Sequence, residues 1–357
     1  MAFFTINNIR IAGLAVGVPT KKINNLHNPL FKGDEGEAFV HTIGIENVRR
    51  SEGKSLSDLC LPIGEKLLRN LHWDSNDVRL LILVTQSPDY KIPPTSLILQ
   101  DKLGLPKSSM AFDINLGCSG YVYGLSVIAS LMKASRQNKA LLFVGDISSS
   151  CISEGDKSTA PLFSDAVSVT ALELTEDDNQ ILSFNLQSDG SGYDAIMIKD
   201  GGTRHPLTDK SLMYHEFEPG VKRKNTDMLL DGIKIFNFSL REVANNVNEL
   251  LKNIDKEINY FDYLVMHQAN MLMNESIRKK LKLEKEKVPY SLKDYGNTSS
   301  ASIPLTLVHA LKNELISKEV NLILAGFGVG LSWGSVALRT NRIVCLDVVE
   351  IENIKSA

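Results

Sequence analysis

Three residues of this chain combine a reactive type with a setting that suits chemistry: Cys118, His267 and Asn297. Cys118 follows an apolar run ending at residues 111–114, which reads as a strand, and precedes Val122, Leu125, Ile128, Ala129 and Met132 at helical spacing. A thiol at that turn sits at a helix N-terminus, whose unpaired N–H groups and partial positive charge favour thiolate. Gly117 and Gly120 flank it and let another molecule approach closely. The same local sequence also fits a small buried filler, since free cysteines are among the most buried residues. His267 follows the apolar Leu264-Val-Met at the end of a second strand, where an imidazole can exchange or donate a proton near neutral pH. Taken alone it reads more often as a structural histidine. Asn297, within Tyr295-Gly-Asn-Thr-Ser299, offers amide donors in another turn that opens a helix.

The elements that must position these residues alternate between strand and helix. Leu80-Leu-Ile-Leu-Val and Ala140-Leu-Leu-Phe-Val are continuous apolar runs, as expected of strands covered on both faces. Leu59, Leu61, Ile63, Leu67 and Leu68 predict a helix over residues 57–71, and Pro93-Pro94 a helix start running to Leu103. The second half repeats this order. Leu264-Val-Met-His267 corresponds to Leu83-Val-Thr-Gln86 at a displacement of 181 residues (264 − 83), and Leu324-Ala-Gly326 corresponds to Phe143-Val-Gly145 at the same 181 (324 − 143). Nearly the same shift carries Cys118 to the neighbourhood of Asn297. The chain therefore reads as a duplicated domain, with two strand-to-helix turns aimed at a shared centre. The expected division is 1–178 for the half with the cysteine, 179–340 for the half with the histidine and asparagine, and 341–357 for an extension that supplies an edge strand. Residues 187–225, with the basic Lys222-Arg-Lys224, read as surface loops.

Composition narrows the class. The 357 residues are 43% hydrophobic and 23% charged, with a net charge of −3, which supports a sizeable core and argues against bulk attraction to nucleic acid. Four dispersed cysteines without a C-x-x-C pair suggest neither a metal site nor a disulfide framework, and fit a reducing cytoplasm. No apolar run approaches the ~20 residues of a membrane span.

With these residues in view, the chain resembles the β-ketoacyl-acyl-carrier-protein synthases of type III, in the thiolase-like superfamily, over about residues 9–339. The carriers are Phe112-Asp-Ile-Asn-Leu-Gly-Cys-Ser-Gly120, Leu162-Phe-Ser-Asp165, His267-Gln-Ala-Asn270, Tyr295-Gly-Asn-Thr-Ser-Ser-Ala-Ser302 and Gly326-Phe-Gly-Val-Gly-Leu-Ser-Trp-Gly334. The resemblance implies a duplicated α/β/α/β/α fold and a Cys-His-Asn set. Cys118 would take an acyl group from a thioester, with an oxyanion hole formed by the N–H groups of Cys118 and Val329. His267 and Asn297 would then hold the thioester carbonyl of malonyl carrier protein as it loses carbon dioxide. It further implies substrate contacts at Ile92, Phe236, Asn270 and Gly328, carrier docking at Arg278, Lys279 and Lys280, and no cofactor beyond the thioester substrates. It also implies a homodimer paired through residues 140–146, with Ile92 reaching into the partner's acyl pocket.

Some positions depart from the family. Ala38 and Thr42 stand where fatty-acid-initiating members stack and pair with the nucleotide of coenzyme A, and Leu272 stands in place of a docking arginine. Val329 replaces a glycine, which requires a negative φ there. Carrier protein rather than free coenzyme A is therefore the expected donor. Other readings of the same fold are an acyltransferase that moves the acyl group to a hydroxyl or amine without condensation, and a non-catalytic partner subunit, against which the retained Cys118, His267 and Asn297 argue. Chemistry needing a glutamate base finds only Asp89 near the relevant turn.

Overall fold

The computed structural model describes residues 2–352, and its backbone follows the predicted alternation in two sheets. The first has seven strands. Met110–Ile114 lies at one edge, followed by Val78–Val84, Lys139–Asp146, Ala166–Leu174, Ile9–Pro19 and then Val344–Cys345, with Val349–Ile351 also paired to Ile9–Pro19. The second has five, ordered Ala2–Asn7, Ile181–Ser188, Ser332–Asn341, Glu319–Gly328 and Tyr263–Met266. Helices Gly120–Ser135 and Ser302–Ser317 fill the space between the sheets. Their Leu125, Ile128, Leu307 and Leu311 share one core with Ile82 and Val84 of the first sheet and Leu322 and Leu324 of the second. Helices Leu56–Leu71 and Thr95–Lys102 cover the outer face of the first sheet, while Gly232–Asn253 and Met271–Lys280 cover that of the second. The result is the expected α/β/α/β/α layering.

Local signals explain several boundaries. The helix Leu56–Leu71 begins at a capping box in which Ser55 and Asp58 satisfy each other's backbone N–H. Thr95–Lys102 starts directly after Pro94, as expected of a proline at a helix entry. Within residues 187–225 the chain is less loose than its polarity suggested. Ile196–Met197 pairs with Leu229–Leu230, and His215–Glu218 forms a hairpin with Val221–Arg223. The basic run there folds back: Lys222 and Lys224 sit over the Tyr214 ring and Arg223 pairs with Asp156.

Two expectations are corrected. The halves do not divide cleanly at 178 and 340, because they exchange their ends. Ala2–Asn7 pairs antiparallel with Ile181–Leu186 in the second sheet, whereas the strands after residue 343 run parallel to Ile9–Pro19 in the first. A left-handed Asn8 (φ 64) breaks the N-terminal strand in two, and Phe4 stacks on Phe184 across the crossing. Gly13 and Gly17 admit the returning tail, since a Cβ would lie 2.9 Å from the Val344 carbonyl at the first and 2.7 Å from Ile351 Cδ1 at the second. The other correction concerns pairing between chains. Lys139–Asp146 is central, hydrogen-bonded on both sides by Val78–Val84 and Ala166–Leu174, so it has no free edge to offer. The open edge of that sheet is Met110–Ile114, the strand that leads into Cys118. Among the described residues no helix is long and apolar enough to cross a membrane.

Candidate active site

Cys118 lies between the edge strand and the helix that begins at Gly120, held from below by a second turn. A Cβ on Gly328 would fall 2.6 Å from Cys118 Cβ and 3.0 Å from its sulfur, and one on Gly117 would fall 2.4 Å from Gln86 Oε1. Only glycine lets the two turns close. Val329, between Gly328 and Gly330, keeps a negative φ, which meets the condition its side chain imposes. Its N–H and that of Cys118 both point at the sulfur and favour the anion, as does the Ser299 hydroxyl.

These donors do not win. Cys118 is 8% exposed, and burial, reinforced by the nearby Asp146 carboxyl, pushes its thiol up to about 12. The expected helix-terminus thiolate is therefore a neutral thiol at rest. A helix end contributes typically ~0.3–1 kcal/mol and each pKa unit corresponds to ~1.4 kcal/mol, so desolvation outweighs it. Asp146, at the end of its strand, is itself fully buried and shifted up by burial. It accepts from the Gln86 N–H (2.7 Å), the Thr85 hydroxyl (3.1 Å) and the Ser300 hydroxyl (3.2 Å), all of which favour its charged form.

His267 directly follows Tyr263–Met266. Its N–H bonds the Ala325 carbonyl (2.8 Å), its carbonyl accepts from Asn274 Nδ2 (3.0 Å), and Nδ1 lies 2.7 Å from the Ser302 hydroxyl. Burial lowers its pKa to about 3, so the ring is neutral across the physiological range. Asn297 is fixed equally firmly. Its N–H bonds the Leu162 carbonyl (3.0 Å), its carbonyl accepts from Ser164 (2.8 Å), and its Oδ1 accepts from the Ser299 N–H (3.0 Å), which leaves the amide hydrogens free to donate elsewhere. Gly296 before it takes φ +60, a conformation that favours glycine, with Val48 and Leu162 packed where a Cβ would go.

The three residues line one cavity, of about 60 Å³, together with Asn270, Phe327 and Gly328. A second cavity of about 30 Å³ opens on the other side of Cys118, against Gln86, Asp146, Ser148, Cys151, Ser299 and Val329. Asn270 and Gly328 thus stand where the resemblance implied, though the Asn270 side chain also caps a helix through the Met273 N–H (2.8 Å). Phe236 does not line this cavity. One residue along a helix turns the side chain by about 100°, so Ile235 faces the cavity while Phe236 packs against the core of the second half. Ile92 is 85% exposed and lines neither cavity. Arg278 is not free for docking either, because its guanidinium is tied to the Glu275 carboxylate (2.8 Å) and to the Leu283 carbonyl. Lys279 and Lys280 are exposed, the latter donating to the Leu240 carbonyl (2.9 Å). Asp89 accepts from the Ser57 N–H (3.0 Å) near the start of a helix and does not line the cavities.

Asp146 and Ser299 escaped sequence reasoning. Each had a signal. Asp146 ends a continuous apolar run, and a carboxylate at the end of a buried strand needs a reason. Ser299 is the residue that the 181-residue displacement carries Cys118 onto (118 + 181), and it holds a left-handed φ of 49, rare for serine.

A buried thiol in a glycine-lined turn, facing a neutral imidazole and a fixed amide across a duplicated layered fold, defines a thiolase-like condensing enzyme. Comparison with known proteins narrows this. Residues 112–190 match the family 3-oxoacyl-[acyl-carrier-protein (ACP)] synthase III, and residues 251–340 match its C-terminal region. A β-ketoacyl-[acyl-carrier-protein] synthase III of Clostridium perfringens is 30% identical over 334 residues, covering 94% of this chain and 100% of that one. Its counterpart in Ehrlichia canis is 32% identical over 331 residues, covering 92% and 98%. Among solved structures, a 3-oxoacyl-(acyl-carrier protein) synthase from Burkholderia xenovorans LB400 superposes with a TM-score of 0.92 at 36% identity, over 98% of this chain and 99% of that one. The chain belongs to the β-ketoacyl-acyl-carrier-protein synthase III family.

The raised thiol has a direct consequence. Because the folded pKa lies above the ordinary cysteine value, the thiolate fraction keeps growing through the alkaline range. The rate of Cys118 alkylation by iodoacetamide should rise about tenfold per pH unit from about pH 7 to 10 without levelling off. A plateau below pH 8, read by intact-protein mass spectrometry, would show that the thiolate is already formed at rest.

Proposed function

We propose that the chain catalyses a decarboxylative Claisen condensation in two half-reactions on Cys118. In the first, the Cys118 sulfur attacks the carbonyl of an acyl thioester, the N–H groups of Cys118 and Val329 hold the oxyanion, and its collapse breaks the donor's C–S bond, the donor leaving as a thiol with the proton that Cys118 gives up. In the second, the thioester carbonyl of a malonyl carrier protein lies between His267 and Asn297. With the Ser302 hydroxyl donating to Nδ1, the ring hydrogen sits on Nε2 and donates to that carbonyl beside the Asn297 amide. Carbon dioxide leaves, the enolate so stabilised attacks the acyl carbonyl, and the acyl–sulfur bond breaks to release Cys118, whose thiolate takes up a proton from water. No cofactor or metal is needed.

The observation that carries this reading is that Cys118, His267 and Asn297 line one cavity, with the Asn297 Oδ1 occupied by a backbone N–H and its donors left free. The cavity of about 30 Å³ behind the thiol favours a short acyl group, since one water needs ~10–15 Å³ by the same measure. Four free thiols, at Cys60, Cys118, Cys151 and Cys345, suit the cytoplasm.

Cys118→Ala should abolish acylation, whereas His267→Ala and Asn297→Ala should retain it while lowering malonyl decarboxylation by about 10²–10³-fold each. Intact-mass measurement of the acyl-enzyme, alongside release of labelled carbon dioxide, separates the two steps. Normal decarboxylation by Asn297→Ala would favour simple acyl transfer instead.

Acyl carrier protein is the proposed donor and extender carrier. Lys279 and Lys280 present positive charge at the C-terminal end of the helix whose first turn carries the exposed Leu272, while Ala38 and Thr42 offer no stacking or phosphate-pairing group for a nucleotide. Changing both lysines to glutamate should lower turnover with carrier-bound substrate several-fold while sparing an N-acetylcysteamine thioester. Equal loss with both substrates would exclude docking at this helix.

The proposed assembly is a homodimer joined along Met110–Ile114, the open edge of the first sheet, with the exposed Ile92 reaching the partner's acyl cavity. Light scattering at micromolar concentration should give twice the chain mass, and a proline at Ala111 should shift it toward monomer. A wild-type monomer would overturn the arrangement.

A further inference from the structure

The C-terminal strand takes no part in the half-reactions, yet it is connected to the turn that carries Asn297. Val349–Ile351 runs parallel to the end of Ile9–Pro19, with Ile351 buried and its carbonyl accepting from the Thr20 N–H (3.1 Å). Glu350 between them reaches Arg49, its carboxylate 2.9 Å from Nη2. The Arg49 side chain is only 3% exposed, against 54% for Glu350, so a permanent positive charge is buried with one carboxylate as its counter-ion. Its remaining partners are the Pro19 and Thr20 carbonyls, at 3.0 and 3.4 Å from Nη1, and its Nε is buried without a partner.

Arg49 meets the Asn297 turn along two routes. Its guanidinium carbon lies 5.5 Å from the centre of the Tyr295 ring, two residues before Asn297. Its backbone holds the strap that brackets Asn297. The Arg49 N–H donates to the Ser164 hydroxyl (2.6 Å), and its carbonyl accepts from the Asp165 N–H (3.1 Å). The same strap supplies the Leu162 carbonyl and the Ser164 N–H that grip the Asn297 backbone from either side. Val48 and Ile45, on the same short segment, pack against Gly296.

We propose that Glu350 is a positioning residue for Asn297, acting through Arg49: the C-terminal strand is a latch that fixes the turn on which the amide is mounted. This rests on the reading of Asn297 as a donor in decarboxylation. Without the carboxylate, a half-satisfied buried guanidinium must shift toward solvent or other acceptors, and it carries the Tyr295 contact and the strap with it. Glu350 itself faces water, so its charge is screened, but its removal leaves the buried Arg49 guanidinium uncompensated, and a lower melting temperature accompanies the change. The effect on rate comes through geometry, since displacement of an aligned group by about 1 Å can cost about 10²-fold in rate.

The test uses the full chain with Glu350→Gln, which removes the charge at constant shape, and Glu350→Asp, which restores it on a shorter stem. Single-turnover acylation of Cys118, malonyl-carrier decarboxylation and thermal melting are measured for each, beside Asn297→Ala. The expected result is a roughly tenfold loss of decarboxylation in Glu350→Gln, acylation within about twofold of wild type, and partial recovery in Glu350→Asp. Unchanged decarboxylation in Glu350→Gln, or equal loss of both half-reactions, overturns the latch. If Asn297→Ala itself decarboxylates normally, the assignment of Asn297 fails; if Asn297→Ala is inactive and Glu350→Gln is not, the latch alone fails.

Discussion

The contact on which the site depends is steric: the backbone at Gly328 lies so close to Cys118 that no Cβ fits between them. It joins the turn of one half to the loop of the other. Gly326 is likewise pressed against Ser119, with a Cβ 3.0 Å from its Cα, so beside the sulfur the two halves come together backbone to backbone. Backbone contact brings N–H donors to the sulfur without a flexible linker, so they are already oriented when charge develops on a substrate oxygen. The same closeness buries the sulfur.

Burial sets the resting chemistry. The donors at Val329 and Ser299 favour an anion on the sulfur, but desolvation and the Asp146 carboxyl oppose it, and the sum favours the thiol. In the proposed mechanism this is no handicap. Donors that stabilise a resting thiolate would strengthen the ground state as much as the transition state, whereas donors aimed at an oxyanion act only as it forms. Asp146 is kept at this depth by donors from Thr85, Gln86 and Ser300, which offset part of the cost of its burial. A neutral imidazole at His267 likewise follows from burial, and neutrality suits a group whose proposed task is to donate one hydrogen bond.

How far this was legible in the sequence depends on the kind of information each feature needs. Cys118, His267 and Asn297 were readable because apolar periodicity locates strands and helices, and the 181-residue repeat relates the turns between them. Ser299 lay on that repeat but required residue-level register. Asp146 was visible as a charged end to an apolar run, yet its proximity to the sulfur is a tertiary fact. Phe236 and Ile235 are adjacent on a helix, and only the helix rotation decides which faces the cavity. The pairing of Arg278 with Glu275 was available at helical spacing, and it removes from the surface a charge that composition alone would have placed there. The edge strand in the C-terminal extension was expected, but which sheet each terminal strand joins could not be read, because a break at Asn8 and a return after residue 343 leave no periodic signature.

The exchange of terminal strands has a mechanical consequence. The first residues of the chain complete the sheet of the second half and the last described ones complete the sheet of the first, so neither half can close its sheet from its own sequence block. Cys118 comes from one half, and His267 and Asn297 from the other. A site assembled across that seam keeps its geometry only while the seam is held, and strands that cross it at both ends resist sliding of one sheet past the other. The central helices Gly120–Ser135 and Ser302–Ser317 bury their apolar faces against both sheets at once. Their N-termini, with the turns before them, therefore cannot shift independently of either sheet, and the positions of the thiol and of the residues around Asn297 are set by the packing of the whole core rather than by the loops that carry them.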